Sequence, residues 1–357
     1  MYLDLAKAFD KVSHRRLISK ISSFGIGGNI ISWLEDFLRD RKQCVSINSN
    51  SSSWKSVDSG VPQGSVLGPV MFILYVNDIP EHVKSLVKIF ADDTKLYSSA
   101  ANYNNLQNDL DSLVQWAKDW ELTFNVDKCK VMHYGQNNNN HEYTMDGKVL
   151  QSADEECDLG VLFQKDMKFS KHIAMKINKA NSILSLLRRS FKFIDKYAFI
   201  KLYTTLIRPY VKFANVIWYP HLRKDIESVE RLQMRATKLI PGIKDLTYED
   251  RLRKLQLPSL AHRRVRGDAI QTFKIIKSID DCNKEKFFKL STLSNTRGHS
   301  YKLEKPRCVT NFALNQFSNR VINLWNALPQ FVVDAKTVEE FKILLDRHFP
   351  ENVKYKF

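Results

Sequence analysis

Residues 87–97, Val-Lys-Ile-Phe-Ala-Asp-Asp-Thr-Lys-Leu-Tyr, constrain the fold more than any other stretch of this 357-residue chain. Apolar and polar residues alternate into the Asp92-Asp93 pair and a strand-like run leads out. That is the pattern of a β-hairpin with both acids at or beside its turn. Adjacent carboxylates repel, so a site that keeps both ionised needs a compensating cation. A hard divalent ion such as Mg²⁺ suits them, because it takes carboxylate oxygens and keeps positions open for substrate phosphates. An acidic pair in a turn more often only solvates a loop. A third carboxylate and a substrate platform elsewhere in the chain decide between the two readings.

The charge distribution favours a polyanionic partner. Residues 1–165 hold 17 Lys+Arg against 21 Asp+Glu, while residues 166–357 hold 38 against 18. An acidic half able to hold metal thus precedes a basic half suited to neutralising phosphates. No apolar run approaches the ~20 residues needed to span a bilayer, so no membrane role is expected. Asp4 and Asp10 fall where a signal peptide requires apolar residues. The cysteines (44, 129, 157, 282 and 308) form no Cys-x-x-Cys pair, which argues against a zinc module or a disulfide framework.

In chain order, Tyr2, Leu3 and Leu5 read as a strand with Asp4 near its end. Helices are expected over residues 14–24 and 30–39, the second with Ile30, Ile31, Trp33, Leu34, Phe37 and Leu38 on a broad apolar face, then strands at 44–47 and 54–57 around a polar loop. Residues 60–69, Gly-Val-Pro-Gln-Gly-Ser-Val-Leu-Gly-Pro, prescribe a defined backbone path before a helix over about 66–77. There Gly64 beside Gln63 would let a planar group approach the main chain. A helix over 105–120 follows, then strands at 122–124 and 130–134, a polar loop at 136–142, a hairpin about Asp146-Gly147, and a strand at 158–163. From about residue 170 long basic helices take over: 170–191, 198–207, 226–240 and 252–272. A polar linker at 283–307 and two closing helices at 317–328 and 338–349 complete the chain.

Asp4 at a strand end, the 60–69 loop and the Asp92-Asp93 hairpin stand in an order that is far more specific than any one of them. Residues 3–10 (LDLAKAFD), 60–69 (GVPQGSVLGP) and 90–93 (FADD) resemble palm motifs A, B and C of reverse transcriptases, in particular those of jockey-like non-LTR retrotransposons of the LINE type. The likeness extends to residues 158–161 as a primer-grip-like motif E, and to residues 202–209, 252–264 and 324–329 (LWNALP).

The resemblance implies an α+β fold: a right-hand polymerase palm, an antiparallel sheet with packed helices, over residues 1–165. A basic all-α, thumb-like region over 166–275 and a C-terminal linker and helical region over 276–357 would follow. The sequence opens at motif A, so most of the fingers is expected to be missing. Asp4, Asp92 and Asp93 are implied as ligands of two Mg²⁺ ions, or Mn²⁺ in their place. Phe9 is implied as the aromatic gate beneath the incoming sugar, and Gln63 and Gly64 as lining the nucleotide and template pocket. Lys128 is implied as the lysine that meets the leaving pyrophosphate, with Lys130 as its competitor. Asp10 and His14 read as a structural pair. The implied activity is RNA-directed DNA synthesis from dNTPs, on an RNA template, with a DNA primer or target DNA. The alternative is an inactive remnant that binds nucleic acid through its basic helical half. An intact element of this kind implies work in the nucleus or in a cytoplasmic ribonucleoprotein; the sequence leaves the oligomeric state open.

Overall fold

A computed structural model describes residues 1–135, 138–291 and 298–349 and divides the chain into two compact units, Met1–Glu156 and Cys157–Phe357. In the first unit, Tyr2–Leu3 pairs antiparallel with Asp93–Tyr97 on one side and with Lys130–Val131 on the other. Leu86–Phe90 pairs antiparallel with Asp93–Tyr97 at one edge. Gln151–Ser152 closes the other edge in parallel with Lys130–Val131, so the five-stranded sheet is mixed where an antiparallel one is expected. That edge strand arrives after the Thr144–Met145/Lys148–Val149 hairpin, which turns on Asp146 and Gly147, both at positive φ.

Helices His14–Ser23, Leu67–Val76 and Tyr103–Asp119 build the core, with Leu17, Phe72, Tyr75, Leu110 and Leu113 fully buried. Gly25, at φ +84°, takes the left-handed conformation just beyond the first of them. Lys20 is buried in this core. The Lys20 ammonium donates to the Tyr75 carbonyl and to Asp78, and lies 3.8 Å from the Trp120 ring centroid. Trp116 Nε1 donates to the same Asp78 oxygen at 3.1 Å. Buried Asp109 accepts from the Lys84 and Ser85 amides at 2.8 Å, which fixes the entry into the Leu86–Phe90 strand.

Two expectations for this unit change. Of the apolar face foreseen on the helix Asn29–Leu38, Leu34 and Leu38 are buried while Ile30 and Trp33 stay exposed. The two strands foreseen at 44–47 and 54–57 form a nested ribbon instead: Lys42–Gln43 pairs with Lys55–Ser56, and Ser46–Ile47 with Asn50–Ser51 further out. Of the polar loop foreseen at 136–142, residues 136 and 137 lie outside the described residues.

The single strand expected at 158–163 is not what forms. Glu155–Asp158 and Val161–Gln164 form a hairpin that turns on Leu159 and Gly160, both at positive φ. Helices Ser170–Ser190, Lys196–Leu202 and Arg223–Thr237 then pack around Ala180, Tyr203, Ile207, Val229 and Ala236. Pro258 splits the helix expected over 252–272 into Tyr248–Leu255 and Leu260–Ile276. Glu230 caps the latter, accepting from the Leu260 and Ala261 amides at 3.1 Å.

A separate core holds Phe273 stacked on Phe341 (4.2 Å between centroids) and the fully buried Trp325. The LWNALP segment organises it. Trp325 Nε1 donates to the Tyr301 carbonyl at 2.8 Å, and the Asn326 amide exchanges two 2.8 Å bonds with the Leu303 backbone. The stretch expected to be a linker is therefore anchored: Phe288 and Leu303 are buried, while residues 292–297 lie outside the described residues. Arg320 binds Asp268 through Nε at 2.8 Å and a terminal nitrogen at 2.9 Å, and also reaches the Val216 carbonyl at 2.8 Å.

Candidate active site

The strand register sets the acidic groups. Tyr2 faces Lys95 and Leu3 faces Thr94, so the next step carries Asp4 to the level of Asp93. Asp93 in turn closes the hairpin opposite Phe90, leaving Ala91 and Asp92 as the two-residue loop. Ala91 is held at φ +53°, a conformation costly for a residue with a Cβ. Asp92 is half-buried beside that turn, and Asp93 is exposed.

Asp4 is fixed by its backbone. Its carbonyl accepts from Asn125 N at 2.8 Å, Leu5 bridges Phe124, and Ala6 N donates to the Thr123 carbonyl at 2.8 Å. Buried Cys129 packs its sulfur 3.4 Å from the Asp4 nitrogen, and burial pushes that thiol up to about 11. It is therefore a neutral packing group rather than a nucleophile. Lys128 places its ammonium 3.5 Å from Asp4 Oδ2, whereas Lys130 turns to Glu156 at 2.8 Å.

The 60–64 loop is tied to the 8–12 segment through Gly60, Val61 and Gln63. Val61 N donates to the Phe9 carbonyl and Gly60 N to the Val12 carbonyl, both at 2.8 Å. A Cβ on Gly60 would meet the Asp10 backbone at 2.8 Å, so only glycine permits this approach. Asp10 and His14, expected to pair with each other, both turn to this loop. Gln63 Nε2 donates to Asp10 Oδ1 at 2.9 Å, and His14 Nε2 donates to the Gly60 carbonyl at 2.8 Å. Gly64, at φ +83°, has open space where a Cβ would stand, and Gly68 lies against the Pro62 carbonyl. Phe9 stacks on Phe72, 4.3 Å between centroids, which holds its ring against the helix that follows the loop.

Sequence reading missed the parts played by Asp10, His14 and Asp109, because each acts through a contact 24 or more residues away. The donor chemistry fits a divalent ion: hard carboxylate oxygens, with a cation already drawn to Asp4. Among the described residues no three His, Cys, Asp or Glu side chains form a ready-made cage. Mg²⁺ commonly binds in just such places, through one or two carboxylates completed by substrate phosphates. No helix among the described residues is long and apolar enough to cross a membrane.

Residues 1–181 match the family described as reverse transcriptase (RNA-dependent DNA polymerase). The chain is 27% identical over 261 residues to "RNA-directed DNA polymerase from mobile element jockey" of Drosophila funebris, covering 68% of this chain and 28% of that protein. The Drosophila melanogaster protein of the same name is 26% identical over 289 residues, 76% of this chain and 31% of that one. "Probable RNA-directed DNA polymerase from transposon X-element" of Drosophila melanogaster is 28% identical over 260 residues, 68% of this chain and 28% of its own length. The matched part thus spans 28% to 31% of these relatives. With the family match running over 181 of the 357 residues, the chain belongs to the reverse transcriptase family.

Proposed function

We propose that this chain supplies the palm and the following helical part of the RNA-directed DNA polymerase of a jockey-like mobile element, which extends a primer 3′-hydroxyl on an RNA template. The observation that carries the reading is the register that brings Asp4 level with Asp93, next to the turn that holds Asp92. Asp4 and Asp92, with Asp93, would hold two Mg²⁺ ions. Bound ions would supply activation of the attacking hydroxyl and charge stabilisation of the leaving pyrophosphate.

The remaining work falls to the chain's own side chains. Phe9, braced by Phe72, bars a ribose 2′-hydroxyl from the sugar position. Gln63 and Gly64 line the nucleotide and template pocket, held in register by Asp10. Lys128 leaves Asp4 when substrate arrives and meets the departing pyrophosphate, neutralising its charge or protonating it. The basic helical region over 166–275 acts as the thumb and neutralises template–primer phosphates.

A second reading, a nucleic-acid binder without synthesis, is favoured by the charge of the second half alone, 38 Lys+Arg against 18 Asp+Glu. Primer extension on an RNA template with Mg²⁺ and dNTPs separates the two. Product that disappears in Asp92→Ala supports the polymerase; retention of RNA with no extension by the parent chain supports the binder.

A further inference from the structure

The ribbon that leaves the helix Asn29–Leu38 is not used by the chemistry described above, yet its surface is unusual. Its strands pair Lys42 with Ser56 and Gln43 with Lys55, then Ser46 with Ser51 and Ile47 with Asn50. Every paired residue in it is exposed. Trp54 is 67% exposed and Ile47 66%, where burial would be the rule for such side chains. Residues 41–57 contain Arg41, Lys42 and Lys55 and not one Asp or Glu, inside a half of the chain that is net acidic. Successive strand residues alternate faces. In this register Lys42 shares a face with Ser56 and Lys55 shares the other with Gln43, and Trp54 immediately precedes the paired strand.

The ribbon's root continues the same chemistry. Trp33 and Phe37, one helical turn apart, stack at 5.8 Å between centroids and 22° between planes. The Arg41 guanidinium follows, 5.3 Å over the Phe37 ring. Asp36 on this helix is engaged by Arg39 at 3.6 Å. The Val57 amide closes the ribbon on the Arg41 carbonyl at 2.9 Å, and Ser59 Oγ then donates to the Asp10 carbonyl at 2.8 Å. The ribbon is thus rooted directly beside the loop that carries Gln63.

We propose that residues 41–57 form an arm that receives an unpaired nucleic-acid strand, with the Trp54 ring stacking on a base and Lys42 and Lys55 neutralising phosphates. Charge complementarity selects the occupant: a cationic, acid-free ribbon with an exposed indole combines the two features by which single strands are held, a basic track and a stacking platform. A duplex offers Trp54 no free base face, so the arm discriminates single strands from paired ones. The inference deepens the polymerase reading, since the strand it takes is the one leading to the Gln63–Gly64 loop.

The test uses the full chain and a fluorescein-labelled 20-mer oligouridine, followed by anisotropy across a salt series, with a blunt RNA duplex for comparison. Trp54→Ala is expected to weaken oligouridine binding about 5-fold to 100-fold. Duplex binding should change less than about twofold, and Trp54→Phe should restore most of the loss. Lys42→Gln is expected to lower the log–log salt slope by about 0.7, the value for one phosphate of a single strand. The proposal is overturned if the unaltered chain does not bind oligouridine, or if Trp54→Ala binds it as the parent does. It is equally overturned if Trp54→Ala changes only self-association in sedimentation, which would make the face a protein contact. Loss of oligouridine binding in Trp54→Ala without any primer extension by the parent sinks the polymerase reading and leaves the arm standing. Extension with unchanged binding does the reverse.

Discussion

Gln63 Nε2 donates to Asp10 Oδ1 across 2.9 Å, a bond between residues 53 apart that joins the loop proposed to line the nucleotide pocket to the segment carrying Asp4 and Phe9. The pair is exposed, so its net worth is that of an ordinary hydrogen bond, about 1–1.5 kcal/mol. Removing it should loosen the loop more than it harms the chemistry. Asp10→Ala is expected to raise KM for dNTP about 5-fold to 10-fold with kcat nearly unchanged. Steady-state primer extension reads the two constants separately, and a fall in kcat at constant KM would contradict this role.

Gly60 occupies a position where backbone meets backbone. Its φ of +91° and the 2.8 Å separation that a Cβ would have from Asp10 make any side chain costly. Gly60→Ala should lower the unfolding free energy by at least about 2 kcal/mol, from left-handed strain plus overlap. Urea titration checks it; an unchanged midpoint would mean that the close approach is not maintained.

Lys20 is 5% exposed and its ammonium is held by Asp78, the Tyr75 carbonyl and the Trp120 ring. Burial opposes its charge most strongly, and the Asp78 carboxylate works against that effect. Lys20→Met strands the Asp78 carboxylate and should cost about 3–5 kcal/mol. Chemical denaturation would reveal the loss, and a change below about 1 kcal/mol would show that Asp78 finds another partner.

His172 gives the second unit a pH dependence. Its Nδ1 accepts from Leu162 N at 3.0 Å, and burial holds the imidazole down at about 4, with nearby Lys176 adding to the effect. The unfolded imidazole titrates near 6.5. Between those values the unfolded chain binds a proton that the native state does not. The His172 contribution is therefore intact above about pH 6.5 and is lost as pH falls towards about 4, at up to about 1.4 kcal/mol per pH unit. His172→Gln keeps an acceptor for Leu162 N and should flatten that part of the slope. Urea titrations from about pH 7 to about pH 4.5 measure it; equal slopes in variant and parent would contradict the assignment.

What the sequence disclosed and what it withheld divide along the range of the interactions involved. The Asp92-Asp93 hairpin and the turn at Asp146-Gly147 were legible because alternation and turn residues are local signals. The helix Tyr103–Asp119 was legible from its apolar periodicity, and Leu67–Val76 from the apolar run that follows the Gly- and Pro-rich loop. The turn at Leu159-Gly160 was not, since a leucine at φ +45° carries no turn signal. Pro258 did carry one, and the long amphipathic run around it masked the break. The parallel edge strand Gln151–Ser152, the ties of Asp10 and His14 to the Gly60–Gln63 loop, and the hold of Asp109 on the strand entry are tertiary contacts that no local pattern encodes. Within the candidate site the residue types could thus be named from sequence, while the groups that align them could not.

Asp4 and Asp92 are proposed to act at one point in nucleotide transfer. Single-turnover incorporation of one dNTP onto an RNA-templated primer, compared for the parent, Asp4→Asn, Asp92→Asn and the double variant, tests it most directly. Groups that serve one step as a unit are non-additive. Each single change is expected to lower incorporation to about the same residual rate, with the double variant no worse. Incorporation that survives Asp4→Asn, or single losses that multiply in the double variant, would contradict it.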